Sequence, residues 1–133
     1  MTTIRLAAQP DLIAIAQFDE FAGNRTAEIE MRSMLVCEIE NQIVGYISWD
    51  TQGLVGNQYI TYLCIHVNFR RQGCARMLLE AALLNLENKR TFISTEADNM
   101  EMLALLESLG WDAVGEIKGA NTDNISELYF SRN

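Results

Sequence analysis

A short run near the middle of the chain changes from a strand pattern to a helix pattern across a single glycine. Residues 59–67 are apolar and rich in β-forming side chains, and they lead into Arg70-Arg71-Gln72-Gly73-Cys74-Ala75-Arg76. Residues 77–84, which follow, have the apolar spacing of a helix. A strand, a turn of small residues and a helix in this order direct several backbone N–H groups, and the positive end of the helix dipole, at one point. The run therefore predicts a strand–helix unit with an anion site at its turn.

The side chains of this turn suit phosphate groups. Gly73 allows a ligand to approach the backbone closely, and Ala75 adds little bulk. Arg70, Arg71 and Arg76 supply fixed positive charge and forked donors. The run is neither the three-glycine dinucleotide fingerprint nor the Gly-Lys-Ser/Thr loop of nucleoside triphosphatases. It fits a pyrophosphate cradle, and it also fits a plain strand-to-helix connection without a ligand.

Charge and composition narrow the class of protein. The 133 residues include 10 Lys and Arg against 18 Asp and Glu, a net charge of −8, and 49% are hydrophobic. This length and composition predict one globular domain over residues 1–133. An acidic chain lacks the basic face of a nucleic-acid-binding protein and suits a cationic or amine-bearing partner. Three arginines in one turn stand out against this background, because a solvated helix start would favour acidic residues.

The cysteines and the N-terminal residues indicate the cellular compartment. Cys37, Cys64 and Cys74 are odd in number and show no paired spacing, which predicts reduced thiols of a cytoplasmic protein and no metal site. Charged residues such as Arg5 interrupt the N-terminal apolar stretch, so we expect no signal peptide. No run reaches the length of a membrane span, so we expect no membrane contact.

Strand and helix patterns alternate in a mixed α/β order. The predicted strands cover residues 3–6, 35–39, 43–49, 57–67, 91–96, 111–117 and 126–130. The predicted helices begin at Asp11, cover 26–33 and 74–88, and run from a cap at Asp98 to Gly110. A turn over 51–56 separates two of the strands. These elements predict antiparallel hairpins at both ends of the chain and one βαβ unit in the middle.

The central run resembles the acetyl-coenzyme A signature of the GNAT N-acetyltransferases, Val-x-Pro-x-x-Arg/Gln-x-x-Gly-x-Gly/Ala. Ile65 stands at the Val, Arg70 at the Arg/Gln, Gly73 at the Gly and Ala75 at the final position, while Val67 replaces the usual proline. The order and spacing of the other elements resemble the family from the first strand to the last. The resemblance implies a mixed sheet of six to seven strands with about four helices. It also implies that the central strand splays from its neighbour to make a slot for a cofactor.

The resemblance implies acetyl-coenzyme A as the co-substrate, without a metal. Its pantetheine arm would pair with strand backbone and its pyrophosphate would lie on the amides of the turn. The residues thereby assigned to the cofactor are Leu63, Cys64, Ile65, Arg70, Arg71, Gln72, Gly73, Cys74, Ala75, Arg76 and Asn99. Asn99 stands where many relatives have an asparagine that contacts the cofactor arm, and a position at the start of a helix explains it equally well.

The resemblance does not by itself identify the catalytic acid and base of this chain. Acetyl transfer to an ammonium group needs a base for its proton and an acid for the departing thiolate. Many relatives place the acid, a tyrosine, at the position of Leu106, and the base, a glutamate, at the position of Tyr59 or Ser94. Tyr59 and Glu96 are the catalytic candidates that this chain offers. A core role for Tyr59 and a solvated role for Glu96 are the alternatives.

Two functions follow from the resemblance. The first is an N-acetyltransferase that moves an acetyl group directly to a primary amine of a small molecule, a peptide or a protein, with a homodimer left open. The second is a coenzyme A-binding module with little transferase activity, a sensor or partner-binding protein, which the leucine at position 106 supports.

Four carboxylates of the first two helical segments either hold the amine or form a solvated face. They are Asp19, Glu20, Glu28 and Glu30.

Overall fold

The computed structural model describes every residue from Met1 to Asn133, and it contains one seven-stranded sheet. The strands are β1 (Thr2–Leu6), β2 (Met34–Ile39), β3 (Gln42–Leu54), β4 (Asn57–Ile65), β5 (Thr91–Glu96), β6 (Asp112–Ile117) and β7 (Glu127–Arg132). Their order in the sheet is β1-β2-β3-β4-β5-β7-β6. β4 and β5 are parallel, whereas β1–β2, β2–β3, β5–β7 and β6–β7 are antiparallel. This mixed sheet confirms the predicted fold class.

Four α-helices accompany the sheet, as predicted. They are α1 (Leu12–Ala16), α2 (Arg25–Glu30), α3 (Cys74–Asn85) and α4 (Met100–Ser108). Single turns of 3-10 helix cover Gln9–Asp11, Val67–Phe69 and Thr122–Asn124. None of the helices has both the length and the apolar character that crossing a bilayer would require.

Contacts within the chain define two compact units. The first comprises Met1–Asp50 and Thr61–Glu87, and the second comprises Thr51–Ile60 and Asn88–Asn133. The single domain over residues 1–133 stays a prediction.

The first unit is built around apolar side chains of β2, β3 and the two short helices. Helix α3 packs against β1 and β2. One apolar cluster of this unit is formed by Ile15, Ile29, Met34, Val36, Tyr46 and Cys64. Gly45 on β3 permits close packing here, because a Cβ at this position would lie 2.7 Å from Cδ1 of Ile65. Each fully buried aliphatic side chain of such a core stabilises the fold by about 1.5–3 kcal/mol.

The second unit is a sheet of β5, β7 and β6 joined to the first part of β4. The parallel register pairs Gln58 with Thr91 and Ile60 with Ile93. A buried hydrogen bond of 2.8 Å from Nε2 of Gln58 to Oγ1 of Thr91 links the same two positions through their side chains. β6 is exposed along its whole length.

One predicted turn is wrong in extent. β3 continues through Leu54, beyond the predicted strand end at Trp49, and only Val55 and Gly56 separate it from β4. Both have positive φ, 50° and 79°. Two consecutive left-handed residues match the right-handed twist of a hairpin, so a two-residue turn suffices where six residues were expected.

Several predicted element ends are also wrong. α2 ends at Glu30 rather than at residue 33, α3 at Asn85 rather than at residue 88, and β7 at Arg132 rather than at residue 130. β4 stops at Ile65 rather than at Val67, because His66 opens a 3-10 turn in which its Nδ1 accepts the N–H of Asn68 at 3.1 Å. Helix α4 is capped by Asn99 rather than Asp98. Gly110 has a φ of 81° just beyond α4, which confirms the predicted left-handed end.

Candidate active site

The turn between β4 and α3 presents backbone without side-chain cover. Gly73 is the N-cap of α3 with a φ of 85° and offers no side-chain cap. A Cβ built at Gly73 would meet no atom within 4 Å. The residue is therefore glycine because of its left-handed backbone and not because of crowding, and the space over the turn is open.

Helix α3 begins with amides that have no acceptor inside the helix. Its first backbone bond at this end runs from the N–H of Met77 to the carbonyl of Gly73 at 3.0 Å. The N–H groups of Cys74 and Ala75 precede that bond, so helix geometry gives them no intrahelical partner. Such amides, together with the helix dipole, bind phosphate oxygens. The open and uncapped turn is therefore suited to an anion such as a phosphate group.

The three arginines of the turn differ in their surroundings. Nε of Arg70 donates to the carbonyl of Ile65 at 3.1 Å, and its Nη2 forms a 3.1 Å ion pair with Glu20. Arg76 lies 3.7 Å from Glu80, one helical turn along α3. Arg71, Gln72 and Gly73 are all exposed. Arg70 thus holds the turn against the end of β4, whereas Arg71 and Arg76 contribute positive charge at the helix start.

The cysteines near the predicted cofactor residues are buried and unpaired. Sγ of Cys64 donates to the carbonyl of Phe18 at 3.6 Å, and Sγ of Cys74 donates to that of Phe69 at 3.9 Å. Burial raises the pKa of the Cys64 thiol. It also raises the pKa of Cys37 to about 12. Cys64 and Cys37 therefore remain protonated near neutral pH and are poor nucleophiles.

The carboxylates of the first two helical segments are not gathered into one site. Nε of Arg25, which is buried, lies 3.7 Å from Asp19 and 3.3 Å from Glu28. Burial raises the pKa of Glu28 despite the opposing charge of Arg25. Glu20 faces Arg70, and Glu30 is exposed. A four-carboxylate amine site is therefore not formed, because Arg25 compensates the two half-buried members, Asp19 and Glu28.

Arg25 also organises aromatic side chains of the first unit. Its Nη1 donates to the hydroxyl of Tyr46 at 2.6 Å, and that hydroxyl donates to Asp19 at 2.6 Å. The guanidinium carbon lies 4.3 Å from the ring centre of Tyr62, a cation–π distance. Gly23, with a φ of 114°, approaches the Arg25 guanidinium so closely that the guanidinium would have to move to admit a Cβ there. The sequence showed no signal for this cluster.

In the second unit, Tyr59 begins a chain of hydrogen bonds. Its hydroxyl lies 2.7 Å from Oγ of Ser94, and Ser94 donates to Oε2 of Glu127 at 2.6 Å. Nδ2 of Asn121 donates to the other oxygen of Glu127 at 3.0 Å. The Tyr59 ring stacks on Tyr129 with 6.5 Å between centroids. Sequence reasoning missed Glu127, which joins Ser94 only because β7 lies beside β5.

Glu96, Asn99 and Leu106 belong to the same unit. Glu96 is exposed, and its backbone carbonyl accepts the N–H of Asn99 at 3.1 Å. Oδ1 of Asn99 accepts the N–H of Met102 at 3.2 Å, so the helix-start role of Asn99 is confirmed. Leu106 has no solvent exposure. No group of three or more His, Cys, Asp or Glu side chains is arranged to hold a metal ion.

Residues 7–122 match the family described as the acetyltransferase (GNAT) domain. The N-alpha-acetyltransferase of Saccharolobus solfataricus is 26% identical over an alignment of 114 residues, and the match covers 75% of this chain and 68% of that protein. Among solved structures, a GNAT-family acetyltransferase from Bacillus cereus has a TM-score of 0.88 at 21% identity and covers 100% of this chain and 97% of its own. The Salmonella typhimurium protein yncA, solved with its cofactor acetyl-CoA, has a TM-score of 0.84 at 17% identity. The match covers 100% of this chain and 94% of that chain.

The family match extends over most of the chain and includes the turn that begins α3. The fold agrees with that of the Bacillus cereus structure over the whole chain. The chain therefore belongs to the GNAT family of acetyltransferases.

Proposed function

We propose that this protein transfers the acetyl group of acetyl-coenzyme A directly to a primary amine. The observation that carries the proposal is the open and uncapped turn at the start of α3, in a chain that belongs to an acetyltransferase family. Bound acetyl-coenzyme A supplies the activated thioester. The protein's own part is to hold that co-substrate, to orient the amine and to move its protons.

The residues of the turn would hold the phosphate end of the co-substrate. The backbone amides of Gly73, Cys74 and Ala75 would donate to the pyrophosphate. Arg71 and Arg76 would add positive charge, and Gln72 lies between them in the sequence. Arg70 would hold the turn in place through its hydrogen bond to the carbonyl of Ile65. The backbone of Leu63, Cys64 and Ile65 would pair with the pantetheine arm as an added strand would. Nδ2 of Asn99 would contact that arm, since the cap uses only its Oδ1.

The thiols support direct transfer rather than an acetyl-enzyme. A cysteine nucleophile needs a lowered pKa, and burial moves the pKa of Cys64 in the opposite direction. The sulfur of Cys74 is turned toward the carbonyl of Phe69 inside the protein. The three unpaired thiols also support a reducing location such as the cytoplasm.

The acceptor belongs to the primary amines of peptides, proteins or small molecules. The name of the Saccharolobus solfataricus relative, N-alpha-acetyltransferase, makes a polypeptide α-amino group the first class to test. The net charge of −8 supports a cationic acceptor of either kind.

The test uses two matched glycine variants, Gly73→Glu and Gly56→Glu. Both glycines have similar positive φ, 85° and 79°, and open space at the Cβ position, so both variants carry the same backbone strain and the same added charge. We expect coenzyme A to raise the Tm of the wild type and of Gly56→Glu, but not of Gly73→Glu, because a ligand that binds the native state stabilises it. Retention of full coenzyme A protection by a folded Gly73→Glu protein would contradict the cradle.

Turnover separates the enzyme from the alternative of a coenzyme A-binding module, which the leucine at position 106 supports. A panel of peptide and small-molecule amines is incubated with acetyl-coenzyme A, and the free thiol is measured. We expect steady thiol release with a peptide α-amine. Tight coenzyme A binding without thiol release for any amine would favour the binding module.

A further inference from the structure

We infer that Tyr59, Ser94 and Glu127 form a relay that carries the amine's proton to the Glu127 carboxylate. The inference rests on the proposed function and identifies its base. In this relay the ammonium group would donate to Tyr59, and Ser94 and Glu127 would act through it. The three side chains come from β4, β5 and β7 of the same compact unit.

The hydrogen bonds in this chain have a defined direction. A serine hydroxyl carries one proton, and Ser94 donates it to Oε2 of Glu127 at 2.6 Å. In the 2.7 Å contact between Tyr59 and Ser94, the phenol must therefore be the donor. The phenol oxygen keeps lone pairs that can accept a proton from an ammonium group or from a water in contact with it. Each hydroxyl is already aligned to pass its proton toward the carboxylate.

Glu127 is a carboxylate held by neutral donors. Ser94 and Asn121 donate to its two oxygens, at 2.6 Å and 3.0 Å. In the first unit, by contrast, the carboxylates of Asp11 and Glu28 each face an arginine within 4 Å. A cationic partner stabilises the charged form of a carboxylate and weakens it as a proton acceptor. The hydrogen-bond partners of Glu127 are instead a hydroxyl and an amide, which carry no charge.

Tyr59 is suited to conduct a proton rather than to hold a negative charge. Burial raises the pKa of its phenol; the Ser94 hydrogen bond opposes this shift, and the nearby Tyr129 and Glu127 add to it. A free phenolate is thus disfavoured. A relay avoids the phenolate, since Tyr59 gains one proton as it gives up another.

The relay moves one proton from the ammonium group to Glu127 by three coupled transfers. An N–H bond of the ammonium breaks and an O–H bond forms at Tyr59. The original phenol O–H breaks as one forms at Ser94, and the original serine O–H breaks as one forms at Oε2 of Glu127. The nitrogen lone pair then forms the C–N bond to the acetyl carbon, and the sulfur leaves with the C–S electron pair and takes the second amine proton. Glu127 returns its proton to solvent before the next turnover.

Three conservative variants test the relay: Tyr59→Phe, Ser94→Ala and Glu127→Gln. Tyr59→Phe retains the ring that stacks on Tyr129, and Glu127→Gln retains shape and a hydrogen-bonding oxygen. We expect each to lower kcat/KM at pH 7 by about 100-fold, the lower range for a general base. We expect Glu127→Gln combined with Tyr59→Phe to lose no more than either alone, because both interrupt one path. Coenzyme A protection should match the wild type, and Glu116→Gln, an exposed carboxylate on β6, should retain full turnover.

The pH profile distinguishes a proton relay from a structural role. In Glu127→Gln the rate should follow the neutral fraction of the amine. For a peptide α-amine, whose pKa is about 8, that fraction rises about tenfold between pH 7 and pH 9, so the deficit should shrink by about the same factor over this range and then level off. For a lysine-type amine, with a pKa of about 10.4, the deficit should persist to higher pH. If Glu127→Gln does not fold, Tyr59→Phe and Ser94→Ala carry the same comparison.

The outcomes separate the two proposals. If the wild type is active and the three folded variants match its kcat/KM, the relay is overturned and the acetyltransferase function stands. The same conclusion follows if the variants have a kcat/KM below that of the wild type by an equal factor at every pH. Wild type that binds coenzyme A but releases no thiol with any amine would overturn the acetyltransferase function and the relay with it.

Discussion

Asp11 is tied to the first unit by three donors. Nη1 and Nη2 of Arg5 donate to its two oxygens at 2.8 and 2.9 Å, and the N–H of Ala8 donates at 2.8 Å. Arg5 also donates to Glu38 at 2.5 Å, which links β1 to β2. The Arg5 hydrogen bond holds the pKa of the Asp11 carboxyl below its usual range. Asp11, which lies just before α1, thereby fixes β1 to the segment that follows this strand.

Replacing Asp11 by Asn should destabilise the protein in a pH-dependent manner. Loss of the charged hydrogen bonds should cost about 2 kcal/mol at pH 7. Because the folded pKa lies below the unfolded value of about 3.9, this contribution is complete above that value and is lost as pH falls through the folded pKa. Urea unfolding at pH 7 and pH 3 measures the difference between Asp11→Asn and the wild type. Asp112→Asn, at an exposed position of β6, is the control, and an equal difference at both pH values would contradict the linkage.

The start of α4 shows how neighbouring residues compete for one structural role. Asp98 and Asn99 both have side chains that can cap a helix. The backbone places Asn99 at the N-cap, where its Oδ1 accepts the N–H of Met102 at 3.2 Å. Asp98 lies one residue too early to reach that amide. A shift of one residue therefore decides which side chain stabilises the helix.

Asn99→Ala should lower the free energy of unfolding by about 1 kcal/mol, the usual cost of a lost N-cap. Asp98→Ala, at an exposed adjacent position, should lower it by much less. Thermal unfolding of the two variants side by side measures the effect. Equal stability of both proteins would contradict the cap. A loss of coenzyme A affinity confined to Asn99→Ala would support the predicted contact of Asn99 with the cofactor arm.

At the scale of the whole molecule, the charge is uneven. The chain carries a net charge of −8, yet three of its 10 basic side chains lie within residues 70–76. An acidic surface attracts cations over distances of about 10 Å at 0.1 M salt, and the range falls to about 3 Å at 1 M. The same surface repels the phosphates of coenzyme A except near the turn. The global charge thus favours the amine, and the local charge favours the cofactor.

Salt should therefore affect the two substrates differently. We expect kcat/KM for a dicationic peptide amine to fall several-fold as ionic strength rises from about 0.05 to 0.5 M. A peptide of zero net charge should show a much smaller change. Initial rates at saturating acetyl-coenzyme A, with both peptides in the same salt series, measure the effect. Identical salt dependence for the two peptides would mean that the net charge plays no part in acceptor encounter.

Much of this protein could be predicted from residues that are close together in sequence. Residues 70–76 predicted the open turn, because a left-handed glycine and the first amides of a helix are local properties. Apolar periodicity predicted seven strands and four helices, and β5 (Thr91–Glu96) was predicted to the residue. The resemblance of the turn to the GNAT signature identified the family that the match over 7–122 confirms.

Only the tertiary structure decided which distant side chains meet. Ser94 and Glu127 are 33 residues apart and bond because β7 enters the sheet between β5 and β6. The compensation of Asp19 and Glu28 by buried Arg25 depends in the same way on how α2 packs. Periodicity and turn chemistry act over a few residues, so the sequence by itself determined the elements and the open turn at the start of α3. Strand order acts over tens of residues, so the fold alone determined the partners of Tyr59.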